Sequence, residues 1–244
     1  IHVARCFDDE NILRDEGAVH PVNDKEIIDT ELQLKDMESV EKKISRTEKV
    51  AKNDPKQKRI LDVLLQCKAQ LDAGKNIRSL QLEGEDLAAI EDLFLLTQKP
   101  VVYVANVDEA SIIKGNQYSE AISKVAEEEG AQVIVMNNNI EAQITEMDND
   151  DDKALFFAEY GLKEPGLNRL IRAAYRLLNL ITYFTAGVQE VRAWTIHRGW
   201  KAPQAASVIH TDFEKGFIKA EVIGYDDFIQ LGGEAAAKEK GKLR

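Results

Sequence analysis

Between residues 24 and 74 apolar side chains recur every three or four positions, and charged ones fill most of the gaps. Leu34, Met37, Val40 and Ile44 make up the first series, after Ile27 and Ile28, with Asp24 as its expected N-cap. Asn53-Asp54-Pro55 interrupts it, because proline cannot continue a helix interior. Ile60, Leu61, Leu64, Leu65 and Leu71 form a second series that stops at Gly74. Both stripes are narrow and their flanks are heavily charged. The pattern predicts two long helices folded back as an antiparallel coiled coil over residues 26–75. Two helices of an ordinary bundle are the alternative.

Elsewhere the pattern changes. Ile1–Phe7 and Pro100–Ala105 read as strands, and Gln132–Met136 is another apolar run rich in β-branched residues. A helical stretch over Tyr118–Glu129, ending at Gly130, separates the last two, so a right-handed βαβ unit of a parallel sheet is expected. Residues 8–25 read as a mobile polar loop that includes Arg14 and His20. Residues 141–164 read as an acidic solvated turn between helices, without the spacing of a calcium loop. A helix is predicted from Pro165 through Ile181, with a domain change at Ala186-Gly187. Beyond it, strands over Glu190–Ile196 and Gly216–Ile223 and helices around Ala202–Ile209 and Tyr225–Leu231 suit a small α+β domain.

Composition narrows the function classes. Of 244 residues 44% are hydrophobic and 31% charged, enough to build a core. No apolar run is long enough to make a membrane-spanning helix. Two cysteines, Cys6 and Cys67, are too few for a disulfide framework or a cysteine-based zinc site. With no basic-then-apolar leader at the start of the sequence, they point to a reducing cytoplasm. The net charge of -11 is uneven. Residues 185–244 hold nine Lys/Arg and eight Asp/Glu, about +1, which leaves -12 on the rest. Bulk attraction to nucleic acid is therefore excluded for the first three quarters, and a local patch containing Arg192, Trp194, Arg198, Trp200 and Lys201 remains for RNA. Ile1 and Arg244 read as cut points in a longer protein.

Open α/β sheets bind ligands at the carboxyl ends of their strands, and two asparagine-containing segments are expected there. Asn106-Val107-Asp108-Glu109 follows one strand. An asparagine there can tie its loop to a phosphate-binding segment, since its amide both donates and accepts, while the next residues, with a carboxylate at Glu109, face a base. A helix cap with a carboxylate in the first turn would look the same in sequence. Asn137-Asn138-Asn139 follows the next strand and is either the other side of a base site or a polar turn. No G-x-x-x-x-G-K-[ST] phosphate loop occurs in the sequence, no metal-ligand cluster is evident, and the four histidines are scattered.

These segments, with Arg5-Cys6-Phe7, Glu164–Arg169, Tyr183–Gly187 and above all His210-Thr211-Asp212-Phe213-Glu214-Lys215-Gly216-Phe217, resemble the Obg-like ATPase (YchF) family of translation-associated P-loop proteins. The resemblance runs through essentially the whole sequence. It implies an α/β fold: a partial P-loop NTPase domain (1–25 and 76–184), three-layered and Rossmann-like, with an inserted coiled coil (26–75). A truncated TGS-like domain of β-grasp type would follow (185–244). It implies ATP as the nucleotide, preferred over GTP, with Asn106, Val107, Glu109, Asn137 and Asn138 at the base and the main chain at Val107 near the adenine. It implies Mg2+ held by the family's upstream phosphate-binding part, so this chain should not hydrolyse ATP alone, and no catalytic residue is assigned. It further implies a monomer that associates with the ribosome in the cytoplasm, regulates translation or a stress response, and contacts RNA through the TGS-like part. The alternative is a non-catalytic module that binds ribosome, RNA or protein without nucleotide turnover.

Overall fold

Val102–Val107 (β2) is the middle strand of a three-stranded parallel sheet, between His2–Cys6 (β1) and Gln132–Met136 (β3). The computed structural model describes residues 1–12, 17–52, 54–187 and 189–244. Both faces of β2 are covered, which is why its sequence shows no polar alternation. On one face Tyr103, Ala105 and Val107 join Ala4 and Cys6 of β1. Against them pack Ile122 and Ala126 of helix α4 (Gln117–Glu128) and Ile140 and Ile144 of α5 (Asn138–Glu146). On the other face Val102, Val104, Ile134 and Met136 pack against Leu170, Ala173 and Leu177 of α7 (Gly166–Leu177). The strand–helix–strand reading of 100–136 holds, but β2 extends through Val107, so Asn106 and Val107 end the strand instead of following it.

The hairpin consists of α1 (Pro21–Ala51) and α2 (Pro55–Asp72). α1 begins ahead of Asp24: the Nδ1 of His20 accepts the N–H of Asn23 at 3.1 Å, and Pro21 fills the first helical position. His20 is thus a cap and not a loop residue, whereas Arg14 lies outside the described residues. Asp54 caps α2 by accepting the N–H of Lys56 at 2.9 Å.

The seam differs from its expected form. Leu34 is 65% exposed, and Ile27, Ile28 and Leu65 are exposed too. In the second half of α1, Val40 and Ile44 do pack on Val63, Leu64, Cys67 and Leu71 of α2. This cluster also takes in Ile77, Ala89, Ile90 and Leu95, so the segment after α2 lies along the hairpin, including the short α3 (Gly84–Ala88). The first half of α1 buries Lys25, Asp29, Gln33 and Asp36 instead. Lys25 Nζ bonds Asp29 at 2.6 Å and also Glu129, at the end of α4. Arg78 lies 3.6 Å from Glu129 and 3.9 Å from Asp29, and the Tyr103 hydroxyl donates to Glu129 at 2.7 Å. Asn76 donates to Asp29 at 3.1 Å and accepts from Gln33 at 2.8 Å. Asp36 accepts the N–H groups of Leu96 (2.8 Å) and Thr97 (2.7 Å) and the Thr97 hydroxyl (2.7 Å). The root of the hairpin is thus joined to the sheet domain by charge and hydrogen bonds, near the amino-terminal ends of β1 and β2.

The acidic segment is a helix, α6 (Asp150–Glu159), and not a turn. Asn149 caps it, and Asp150, Asp151 and Asp152 occupy its first turn, where the helix dipole favours negative charge.

The chain divides into two compact units, Ile1–Leu177 and Leu178–Arg244, so the division falls ahead of position 185. α7 stops at Leu177, Asn179 takes a left-handed conformation (φ 54°), and Ile181 lies in a strand. In the second unit β4 (Leu180–Ala186) pairs antiparallel with β5 (Val191–His197), Tyr183 opposite Trp194. Short helices follow: α8 (Ala202–Ser207), α9 (Thr211–Lys215), α10 (Tyr225–Leu231) and α11 (Glu234–Glu239). Residues 216–223, expected as a strand, form none among the described residues. Within them Val222 instead exchanges two backbone hydrogen bonds with Arg244, of 2.9 and 3.0 Å.

Candidate nucleotide-base site

The carboxyl ends of β2 and β3 are joined by two asparagines. The Oδ1 of Asn106, on β2, accepts the backbone N–H of Asn138 at 2.9 Å. In the other direction Asn137 donates its Nδ2 to the carbonyl of Val107 at 2.7 Å. The Oδ1 of Asn137 also accepts the N–H of Ile140 at 2.9 Å, which makes Asn137 the N-cap of α5. Asn137 is buried, and both of its side-chain bonds organise the edge. The 137–139 segment is therefore a polar strand-to-helix turn, one of the two readings its sequence offers, and it is tied to the 106–109 segment.

Asp108 turns the chain away from the sheet. Its Oδ1 accepts the N–H of Ser111 at 2.8 Å, starting a single 3-10 turn over Glu109–Ser111. Glu109 is exposed, and its carboxylate makes no ion pair or hydrogen bond among the described residues. Its charge reaches Tyr160, whose hydroxyl is shifted above the ordinary phenol value, first by burial and then by Glu109 and Glu159. The Nδ2 of Asn106 is likewise unbonded among the described residues. One amide donor and one carboxylate are thus left over at this edge, while the Val107 carbonyl and the Asn138 N–H are spent on the tie.

Neighbouring segments are held by similar side chain to main chain bonds. Asn116, the cap of α4, donates to the carbonyl of Cys6 at 2.7 Å. Arg5 donates to the carbonyls of Phe7 (3.1 Å) and Asp9 (3.2 Å), shaping the turn after β1. Glu141 on α5 accepts the N–H groups of Gly166 (2.6 Å) and Leu167 (3.1 Å) and so caps α7. Gly166 leaves room for this cap, because a Cβ there would sit 2.6 Å from Glu141 Oε1 and 3.0 Å from Met136 Cβ, so the Glu141 carboxylate would have to shift. Arg169 donates to the Val135 carbonyl at 2.7 Å. Sequence reasoning missed the roles of Asn116 and Glu141. Asn116 sits three residues before Ser119 at a helix start, a readable capping-box spacing, whereas nothing local marks Glu141.

The shallow cleft by Gly115, between the start of α4 and β3, includes none of the five expected base residues. Among the described residues no group of His, Cys, Asp or Glu could hold a metal ion. The edge supplies an amide and a carboxylate but, among the described residues, no cluster of ligands for Mg2+.

A parallel sheet with an asparagine-tied carboxyl edge, a helical hairpin inserted between β1 and β2, and a following α+β unit is the architecture of part of a P-loop-type nucleotide-binding protein. Comparison with known proteins agrees. Residues 180–244 match the family model YchF-GTPase_C, described as a protein of unknown function (DUF933). The chain is 50% identical over 244 residues to the ribosome-binding ATPase YchF of Escherichia coli O157:H7, covering all of this chain and 67% of that protein. It is 46% identical over 246 residues to the Bacillus subtilis protein of the same name, with the same coverage. The structure of the Schizosaccharomyces pombe YchF GTPase superposes with a TM-score of 0.86 at 35% identity, over 99% of this chain and 66% of that one. The chain belongs to the YchF family.

Proposed function

We propose that this chain is part of a ribosome-associated ATPase and supplies its base-recognition edge, its helical hairpin and its C-terminal unit. The observation that carries the reading is the reciprocal tie of Asn106 to Asn138 and of Asn137 to Val107, which leaves the Asn106 amide and the Glu109 carboxylate at the sheet edge. Adenine offers a donor in its exocyclic amine, and Glu109 can accept it. Guanine asks a carboxylate to accept two parallel N–H donors, and a glutamate in place of aspartate displaces the carboxylate by a methylene. A mismatch of that kind leaves buried polar groups unpaired and can shift selectivity by orders of magnitude. The names of the relatives, ribosome-binding ATPase, support both halves of the reading. ATP is the nucleotide, and any Mg2+ is held by residues outside this chain. The protein acts as a monomer in the cytoplasm, and its ribosome binding regulates translation or a stress response.

The C-terminal unit, read as TGS-like, contributes an RNA contact. The Arg192 guanidinium lies 4.2 Å from the centre of the Trp194 ring, and His197 lies beside Trp200 with ring centres 5.3 Å apart. Cations and aromatic faces in this arrangement suit unpaired bases and phosphates.

The test is nucleotide titration of the full-length protein. ATP should bind at least about tenfold more tightly than GTP, Asn106→Ala should weaken ATP by about 10- to 100-fold, and Glu109→Asp should narrow the preference. ATP affinity unchanged by Asn106→Ala would overturn the site assignment. Co-sedimentation with ribosomes tests the partner separately, and its absence would remove the ribosomal half.

A further inference from the structure

The hairpin and the sheet domain are built on two apolar clusters with no member in common. One gathers on Val40, Leu64 and Ile90, the other on Tyr103, Ile122 and Ile140. Between them lies the polar root of α1. Two ion pairs cross it among the described residues, from Lys25 and from Arg78, and both end on Glu129. Glu129 follows the last turn of α4 and belongs to the sheet domain, where it also accepts the Tyr103 hydroxyl at 2.7 Å. Lys25 further faces the Tyr103 ring, 6.0 Å from its centre. The remaining bonds of the root stay on the hairpin side. Lys25 holds Asp29 at 2.6 Å, Asn76 holds Asp29 and Gln33, and Arg78 donates to the Thr97 carbonyl at 3.3 Å. When the joint opens, each half therefore keeps hydrogen-bond partners of its own. The Glu129 side chain, already 24% exposed, passes into water. What makes most buried ion pairs costly to break is a charge stranded without its partner, and this arrangement strands none.

We propose that the hairpin is a releasable arm and that Glu129 is the latch holding it seated on the sheet domain. The arm moves as one body. α1, α2 and the segment up to Thr97 stay together through their own cluster and through Asp36, which holds the Leu96 and Thr97 N–H groups. Residues 98–101, which lead from the arm into β2, belong to no helix or strand, and short irregular segments of this kind absorb the rotation in domain hinges. Seated and released are then two discrete states, and the charge on Glu129 sets the balance between them.

The experiment uses the full-length protein with spin labels at two exposed positions, Lys56→Cys at the far end of the hairpin and Lys124→Cys on α4, and any other reactive cysteine replaced by serine. Double electron–electron resonance reads the distance between them, and one dominant distance is expected. Glu129→Gln removes the charge and keeps an acceptor for the Tyr103 hydroxyl. It should move at least about a third of the molecules to a second distance. An unchanged distribution would overturn the proposal. Glu128→Gln removes the neighbouring charge and should leave the single distance in place; an equal shift would make the effect one of net charge and remove the latch. Amide exchange separates release from unfolding. In Glu129→Gln, protection should hold in Val102–Val107 and around Val40–Ile44 and fall at the first turn of α1. Protection lost in Val102–Val107 as well would make Glu129 an ordinary stabilising residue of the sheet domain, and the arm would have no latch.

Discussion

Asn106 and Asn137 sit on adjacent strands, and each holds the end of the other's segment: Asn106 accepts from the Asn138 N–H, and Asn137 donates to the Val107 carbonyl. Because Asn137 is buried, losing its side chain strands a carbonyl and a helix-start N–H. Asn137→Ala should therefore cost about 2–3 kcal/mol, and the half-exposed Asn106→Ala nearer 1 kcal/mol. Urea unfolding of the two variants and their double mutant measures this. The double mutant should lose less than the sum, because the bonds share one joint. Strict additivity would show that the two ties act independently.

Lys25 is 5% exposed and faces two carboxylates. Burial pulls its pKa down, but its bonds to Asp29 and Glu129 outweigh burial and the net shift is upward. Lys25→Met would leave Asp29 and Glu129 with Arg78 as their remaining cation. A loss of about 3–5 kcal/mol is expected, changing little between low and high salt because the group is shielded from ions. Amide exchange should show the first turns of α1 opening before the Val40–Ile44 region. Uniform loosening of the whole helix would argue against a localised joint.

His2 shares this neighbourhood, its ring 5.4 Å from that of Tyr103. Its pKa lies below the ordinary 6.5, chiefly through burial; attraction to Asp29 opposes the shift, and repulsion by Lys25 and Arg78 adds to it. Between the lowered folded value and 6.5 the unfolded chain binds more protons than the folded one. The contribution from His2 is thus fully present above pH 6.5 and is lost as pH falls through the folded value. His2→Phe should flatten that part of the stability–pH curve. An identical slope in the variant would assign the dependence elsewhere.

Both thiols are fully buried, and burial raises Cys6 to about 12 and Cys67 to about 11. At pH 8 neither should react with a disulfide-exchange reagent except through opening of the fold. Labelling of the native protein should run at least about a hundredfold slower than in urea. Comparable rates would mean that one of the two cores opens readily.

Strands and hairpin were legible because their patterns are local. Val102–Val107 is apolar on both faces, and only a covered strand has that need. Lys25, Asp29, Gln33 and Asp36 were not legible as a buried stripe. They carry the same i, i+4 spacing as the apolar seam, but their partners Arg78, Thr97 and Glu129 lie far along the chain, and charged residues read as solvated until those partners are known. Leu34 misled for the opposite reason: it is apolar, but six residues from Val40 it lies about 120° round the helix from it, off the buried line that runs through Gln33 and Asp36. The helix expected through Ile181 failed at Asn179, where one left-handed residue ended a periodicity that the following strand happened to continue. At the carboxyl edge of the sheet the asparagines could be located from sequence, but which atoms remain free depends on the pairing of Asn106 with Asn138.

The polar root of α1 also sets the register of the hairpin. Greasy seams tolerate sliding, since one aliphatic contact replaces another at little cost. A slip of one helical turn, about 5.4 Å, would here carry Asp36 away from the Leu96 and Thr97 N–H groups and Lys25 away from Glu129. Each displaced charge would be buried without its counterpart. The two helices can find each other quickly, being adjacent in sequence, but the arm can seat on the sheet domain in only one position, like a key whose teeth are ions.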